Sequence, residues 1–277
     1  MTTVVNTNVN ALFASNALSV NNRAMSSAME QLSTGSRINS AKDDAAGLAI
    51  SDKMTSQIRG LNMAVRNGND AVNLLQTAEG AMVQQTSMLQ RMRELAVQAA
   101  SDTTLSADKT NINTEFAALS AEIDRIGGNT QWNGQNVLDK SGGTSGSYAF
   151  QVGANASQTI TVAIGNMKTT GALTAVASAV VTSASAANSA ITNIDTAIAA
   201  IDTQRATLGA GINQLTYAVD NLTTVAQNAT ASRSQVLDTD YAAATSKLAK
   251  SQIIQQAATA MLAQANQQPQ TVLALLK

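Results

Sequence analysis

Apolar residues recur at every seventh position along much of this chain. Val4, Ala11, Leu18, Met25 and Leu32 form one such row, flanked by Asn and Ser, and Gly35 closes it. A row at that spacing predicts a helix with one narrow apolar stripe. Ser40, with Asp43 three positions on, reads as a capping box, and Asp43 with Asp44 suits the positive end of a second helix. That helix carries Met54, Leu61, Leu75, Met82, Leu89 and Ala96 in one row, with Gly68 as the gap, beside Ile58, Val65 and Val72. Its pattern runs to about Ala100. After the polar break SDTTLSAD, the set Ile112, Phe116, Leu119, Ile123 and Ile126 predicts a shorter amphipathic helix ending at Gly127 and Gly128.

The period then changes. Asn133-Gly134 is a tight-turn signal, and Tyr148, Phe150 and Val152 alternate, as do Ile160, Val162 and Ile164 across the connection GANASQ. Alternation on both sides of a short link predicts a hairpin with one buried face. The Ala, Ser and Thr stretch TAVASAVVTSASAANS leads into a long heptad. Ile191, Ile198, Ile212 and Val219 share one row with Arg205, and Ile194, Ile201, Leu208, Leu215 and Leu222 fill the other. A final helix begins near Asp238 or Asp240, either able to cap it. It shows Ile254, Met261 and Leu275 with Ala258, Ala265 and Val272 in heptad phase, and Gln268 and Pro269 interrupt it.

The fold class is therefore mainly α: a long coiled-coil helical bundle built from both chain ends, with a small β-hairpin region in mid-chain. Three helices with matching seams bury them in one bundle. The first and last segments each carry a narrow seam outside it: Val4, Leu18, Met25 and Leu32 from one end, Ile254, Met261, Val272 and Leu275 from the other. Burying a large aliphatic side chain is worth roughly 1.5 to 3 kcal/mol, against about 1 to 2 kcal/mol to order each backbone residue. So sparse a pair is marginal alone in water. The ends are expected to bury against other copies of the same chain.

Composition narrows the function. Of 277 residues 44% are hydrophobic but only 3% aromatic, so the apolar mass is Ala, Val, Ile, Leu and Met, which suits closely spaced helices. A net charge of -1 gives no electrostatic reason to bind nucleic acid. The start has no basic segment before Arg23 and its apolar residues alternate with Asn, unlike a cleaved secretory signal. No apolar stretch reaches the roughly 18 residues a bilayer span needs. With no His and no Cys, catalytic triads, cysteine nucleophiles and the HExxH zinc motif are impossible as written, so the expectation is a protein without catalytic residues, metal or cofactor. Asp238-Thr239-Asp240 reads as capping of the last helix rather than a hard-cation site.

Several strings, in order, resemble bacterial flagellin: STGSRINSAKDDAAGLAIS, LQRMRELAVQAA, EIDRIGGNTQWNG, DTDYA and AMLAQANQQPQTVLALL. Trp132 stands where Phe is commoner in that family, and Ala244 where Glu is often found. The resemblance implies an inner coiled-coil polymerisation domain from residues 1–40 plus 237–277, and an outer helical bundle over 41–236 with a small β region at about 131–170. It implies a subunit that self-assembles into the flagellar filament, exported without a cleaved signal by the flagellar type III apparatus. Its partners would be copies of itself, the flagellar cap, hook-filament junction proteins and an export chaperone. Only the hairpin and the Ala, Ser and Thr stretch occupy mid-chain, which implies a minimal form.

By the same resemblance Arg91, Leu95 and Glu115 match positions through which many flagellins contact the innate receptor Toll-like receptor 5. An aliphatic residue beside an Arg and a Glu suits a desolvated contact. Two alternatives stand beside the filament subunit. A hook-filament junction protein shares the terminal helices. An exported membrane-active protein would insert amphipathic ends, but it calls for a basic polar face, and these ends show Asn, Gln, Ser and Thr instead.

Overall fold

The structure, a computed structural model, describes residues 7–274, with side chains as far as residue 267. Val4 and Leu275 lie outside the described residues, and the side chain of Val272 does too. The chain divides into two compact units. One joins the N-terminal stretch up to Ser56 with the stretch from Asn228 onward, and the other is Gln57–Gln227. The elements are α1 (Val9–Thr34), α2 (Ala45–Ala100), α3 (Ser106–Asn129), β1 (Gln131–Trp132), β2 (Gln135–Asn136), β3 (Ser147–Gln151), β4 (Thr159–Ala163), α4 (Thr174–Ala177), α5 (Ala184–Leu237) and α6 (Tyr241–Ala274).

Helix ends follow the capping chemistry, with one change of residue. Gly35 ends α1 at φ 72°, and its N–H donates to the Gln31 carbonyl, because a residue without a Cβ enters the left-handed region at little cost. At the start of α2 the cap is Asp44, whose Oδ1 accepts from the Gly47 N–H at 2.8 Å. Asp43, expected in a capping box, turns away from the helix: its Oδ2 accepts from the N–H groups of Asn39 and Ser40 and from the Ser40 hydroxyl. Only the carboxylate immediately before the first helical residue reaches the third free N–H. Hydrogen bonding from Ser40 holds the Asp43 carboxyl below the usual carboxylate range, which keeps that turn intact into mild acid.

In the Gln57–Gln227 unit, α2, α3 and α5 share one core. Leu75, Met82, Leu89 and Ala96 of α2 meet Phe116 and Ile123 of α3 and Ile194, Ile201, Leu208 and Leu215 of α5, all buried. The companion row on α2 is Ala71, Ala78, Gln85, Met92 and Ala99 rather than Val65 and Val72, which are half-buried at its edge. Alanine lets the helix axes approach closely, so these small residues sit innermost and the valines at the rim. Arg205, the one charge in the α5 row, reaches Glu79 of α2 at 3.6 Å with both side chains about one-third exposed.

Both turn signals form hairpins. Asn133 and Gly134 have φ of 48° and 78° and join β1 to β2, the two positive values a tight primed turn needs. Tyr148 pairs with Val162 and Phe150 with Ile160 across β3 and β4. This hairpin is clamped at one end by Gln204 of α5, whose Nε2 donates to the Ala163 carbonyl at 2.8 Å and whose Oε1 accepts from the Gly165 N–H at 3.1 Å. Gly211 makes room for it, since a Cβ there would stand 2.9 Å from Val162.

Two other expectations change. Helix α3 continues through Gly127 and Gly128 to Asn129. Gly127 is a close-approach site, where a Cβ would lie 2.9 Å from the Met167 carbonyl oxygen. The buried Gln85 locks that crossing, donating from Nε2 to the carbonyls of Ile123 and Met167 at 3.1 and 3.0 Å. Helix α6, expected to break at Gln268 and Pro269, runs on to Ala274. An interior proline costs a helix about 3 kcal/mol and one donor, which weakens it without forbidding it.

Two glycines on these helices give opposite expectations. At Gly80 an added Cβ meets nothing within 4 Å, so Gly80→Ala raises stability by about 0.5–1 kcal/mol through helix propensity. Gly127→Ala loses that gain to overpacking and lowers stability by roughly 1 kcal/mol or more. Urea unfolding of the full chain checks both signs.

Candidate assembly surface

The first unit is built on a pair of antiparallel helices. Asn8 near one end of α1 donates from Nδ2 to the Ala265 carbonyl of α6 at 2.7 Å, Asn21 donates to the Ser251 carbonyl at 2.8 Å, and the Tyr241 hydroxyl reaches the Leu32 carbonyl at 3.4 Å. Gln255 adds a side-chain bond to Asn22 at 3.2 Å.

Heptad spacing selects which residues face inward. On α1 the seam is Ala11, Ala14, Leu18, Asn21, Met25, Ala28 and Leu32, of which Asn21 and Ala28 are buried and the others half-buried. Leu18, Met25 and Leu32 are thus where the sequence pattern puts them. On α6 the inward row is Ala244, Leu248, Ser251, Gln255, Ala258, Leu262 and Ala265. Ile254 and Met261 do not belong to it. They are 41% and 67% exposed on another face. The seam alternates steps of three and four through two polar positions, Ser251 and Gln255, so a search for large apolar residues alone settles on the wrong row. The polar seam residues Asn21, Ser251 and Gln255 carry no hydropathic signal for the same reason.

Large apolar side chains decorate the faces this seam leaves free. Leu12 and Phe13 of α1 are 73% and 70% exposed, and Ile253 of α6 is 66% exposed. Val9, Val20 and Met29 add to the α1 side. Covering Leu12, Phe13, Ile253 and Met261 would contribute roughly 4–8 kcal/mol, taking about two-thirds of the value of full burial for each. Exposed apolar side chains of this size on both helices of one pair mark an interaction surface. A groove of about 720 Å³ runs along a more polar face of α1, lined by Ser15, Ser19, Asn22, Ser26 and Lys42 among others.

The connections at one end of the pair are hydrogen-bonded to each other. The Arg37 N–H donates to the Leu237 carbonyl at 2.7 Å and the Thr239 N–H to the Gly35 carbonyl at 2.9 Å, flanking the bridge of Ser36 with Asp238. Asp240 caps α6, its Oδ1 accepting from the N–H groups of Ala242 and Ala243.

A second candidate surface lies in the other unit. Arg91 of α2 donates from Nε to Glu115 of α3 at 3.0 Å and from Nη1 to Glu94 at 3.0 Å, with the Arg91 and Glu115 side chains half-exposed. Those bonds, the one to Glu94 first, hold the guanidinium pKa above its ordinary value. Leu95 is not beside them on the surface. It is 2% exposed and belongs to the core.

The sequence matches two family models, one described as the bacterial flagellin N-terminal helical region over residues 5–142 and one as the bacterial flagellin C-terminal helical region over residues 191–276. It is 43% identical over 274 residues to a flagellin of Halalkalibacterium halodurans, covering 99% of this chain and 100% of that protein. A Bacillus subtilis flagellin is 42% identical, with 99% of each covered. An Escherichia coli flagellin is 49% identical over 162 residues, covering 58% of this chain and 32% of that one. Among solved structures, the crystal structure of Bacillus cereus flagellin is similar with a TM-score of 0.50 at 33% identity, covering 57% of this chain and 88% of that chain.

The outward faces of α1 and α6 predict concentration-dependent association. Leu12→Gln with Phe13→Gln is expected to change the unfolding free energy by less than about 0.5 kcal/mol, as is usual for exposed sites. Sedimentation velocity should show self-association of the parent chain that the double variant lacks.

Proposed function

The chain belongs to the bacterial flagellin family and is a structural subunit of the flagellar filament, and on that premise we propose that the α1–α6 unit is its polymerisation domain. The observation that carries this reading is the exposed apolar side chains on both helices of a pair whose own seam is Ala-rich. Such a pair is ordered by neighbours. In the filament those neighbours are further copies of the same chain, each covering Leu12, Phe13, Ile253 and Met261 of the next. Residues 1–40 with 237–277 form the inner domain of the polymer and residues 41–236 the outer one.

Delivery and partners follow from this reading. A chain without cysteine, and with Pro269 as its one proline, refolds without disulfide exchange and with little prolyl isomerisation, which suits export through the flagellar type III apparatus and folding at the growing tip. Before assembly the apolar faces need a cover, the role of an export chaperone. The cap and the hook-filament junction proteins receive the same faces at the two ends of the filament. No described helix is long and apolar enough to cross a membrane.

The innate-receptor surface of this chain is the Arg91 and Glu115 pair. Leu95 supports it from beneath by holding α2 against the core, so Leu95→Ala would disturb the fold, by about 2–5 kcal/mol, before it altered a contact.

Two outcomes are expected. The full chain elongates filament seeds under electron microscopy, and a chain lacking residues 262–277 does not; full-length protein that never extends seeds overturns the polymerisation reading. Arg91→Ala with Glu115→Ala lowers Toll-like receptor 5 signalling by monomer roughly tenfold or more, the effect of losing about 1.4 kcal/mol of contact; unchanged signalling removes that surface from consideration.

A further inference from the structure

We infer that Arg37 is a positioning residue for assembly: it locks the connection between α1 and α2 onto the C-terminus of α5, and that lock brings α1 and α6 together in one alignment. The inference rests on the filament reading above and concerns how its surface is made.

Arg37 bonds in three directions. Its backbone N–H donates to the Leu237 carbonyl, its guanidinium Nη2 donates to the Val236 carbonyl at 2.7 Å, and its own carbonyl accepts from Gln31 Nε2 of α1 at 3.1 Å. Val236 and Leu237 are the last residues of α5, where carbonyls lack helical partners and the helix dipole is negative. A cation with planar donors is the group that satisfies them. The neighbouring bonds complete the lock: Thr239 N–H to the Gly35 carbonyl and the Asn39 amide to the Ser36 carbonyl at 2.9 Å. Gly35 is left-handed at φ 72°, and a Cβ there would stand 3.3 Å from the Tyr241 hydroxyl.

The lock matters because the seam is weak in selecting an alignment. Leu18, Met25 and Leu32 repeat at seven, as do Ala258 and Ala265, so neighbouring heptads offer similar volumes. Sliding one heptad moves a helix by about 10 Å with little change in apolar burial. Fixing residues 35–37 on 236–239 removes that freedom at one end of the pair. It also turns contact between segments more than two hundred residues apart, Asn8 with Ala265 being separated by 257, into closure of a short hairpin, which raises their effective concentration. Pairing then proceeds outward from Leu32 and Tyr241 toward Asn8 and Ala265, meeting the polar layer of Asn21, Asn22, Ser251 and Gln255 on the way.

The parent chain, Arg37→Ala and Arg37→Lys are offered to filament seeds, and the critical concentration for elongation is measured beside amide exchange of the chains. Arg37→Ala is expected to raise the critical concentration at least tenfold. It also speeds exchange along all of 9–34 and 241–265 while 57–227 keeps its protection. Arg37→Lys, which retains a cation at the end of α5, recovers part of both effects. The inference is overturned if Arg37→Ala elongates within twofold of the parent, if faster exchange stays confined to residues adjoining 37 and 237, or if Lys recovers nothing. Failure of the parent chain to extend seeds would count against the filament reading instead, and exchange along α1 and α6 at concentrations where the parent chain self-associates would still decide the lock.

Discussion

The α1–α6 seam is too small and too polar to stabilise itself, and the rest of the molecule's behaviour depends on that. Ala14, Asn21 and Ala28 face Ala244, Ser251, Ala258 and Ala265, residues that offer little volume to bury. Alanine brings the helix axes close, and the asparagines add bonds to backbone carbonyls that direct pairing more than they deepen it. The large side chains that would make a self-sufficient pair, Leu12, Phe13, Ile253 and Met261, point elsewhere. A helix pair arranged in this way depends on company for its order.

The Gln57–Gln227 unit is arranged the other way round. Large residues such as Leu75, Met82, Leu89, Phe116, Ile123, Ile201 and Leu208 are inside, and the buried Gln85 donates to backbone carbonyls of α3 and of the segment after β4. Cross-helix ion pairs such as Arg93 with Asp195 at 2.7 Å lie on its surface, where each contributes little to stability. One chain thus contains a unit with a core of large side chains and a unit that leaves Leu12, Phe13, Ile253 and Met261 exposed. The division is one of where large side chains face.

Most helices are legible because heptad spacing is a direct image of the α-helical period, and the β3–β4 hairpin because alternation is equally direct, whereas Asn133-Gly134 marks a turn without showing the two-residue strands beside it. The misreadings share a cause. Ser251 and Gln255 occupy seam positions of α6 that hydropathy scores as surface, so Ile254 and Met261 stood out instead. Asp43 and Asp44 differ by one position, and only hydrogen-bond geometry tells the helix cap from the turn. Gly127 looked like a stop because glycine has two uses, freedom of φ and absence of bulk, and the second depends on a segment forty residues away in sequence, at Met167. Leu95 is the plainest case: Arg91 lies one turn before it, yet a rotation of some forty degrees between them separates solvent from core.

The wide separation of the two helices along the chain has a consequence for fidelity. The described bonds that close the pair, from Arg37 to Leu237 out to Asn8 with Ala265, join an early segment to one made some two hundred residues later. A polypeptide cut short between residues 228 and 240 keeps every residue of the 57–227 unit, but it leaves α1 with no mate. On the proposed role of the α1–α6 pair, such a fragment lacks the means to enter the polymer, so the growing structure proofreads its own building blocks without any separate inspector.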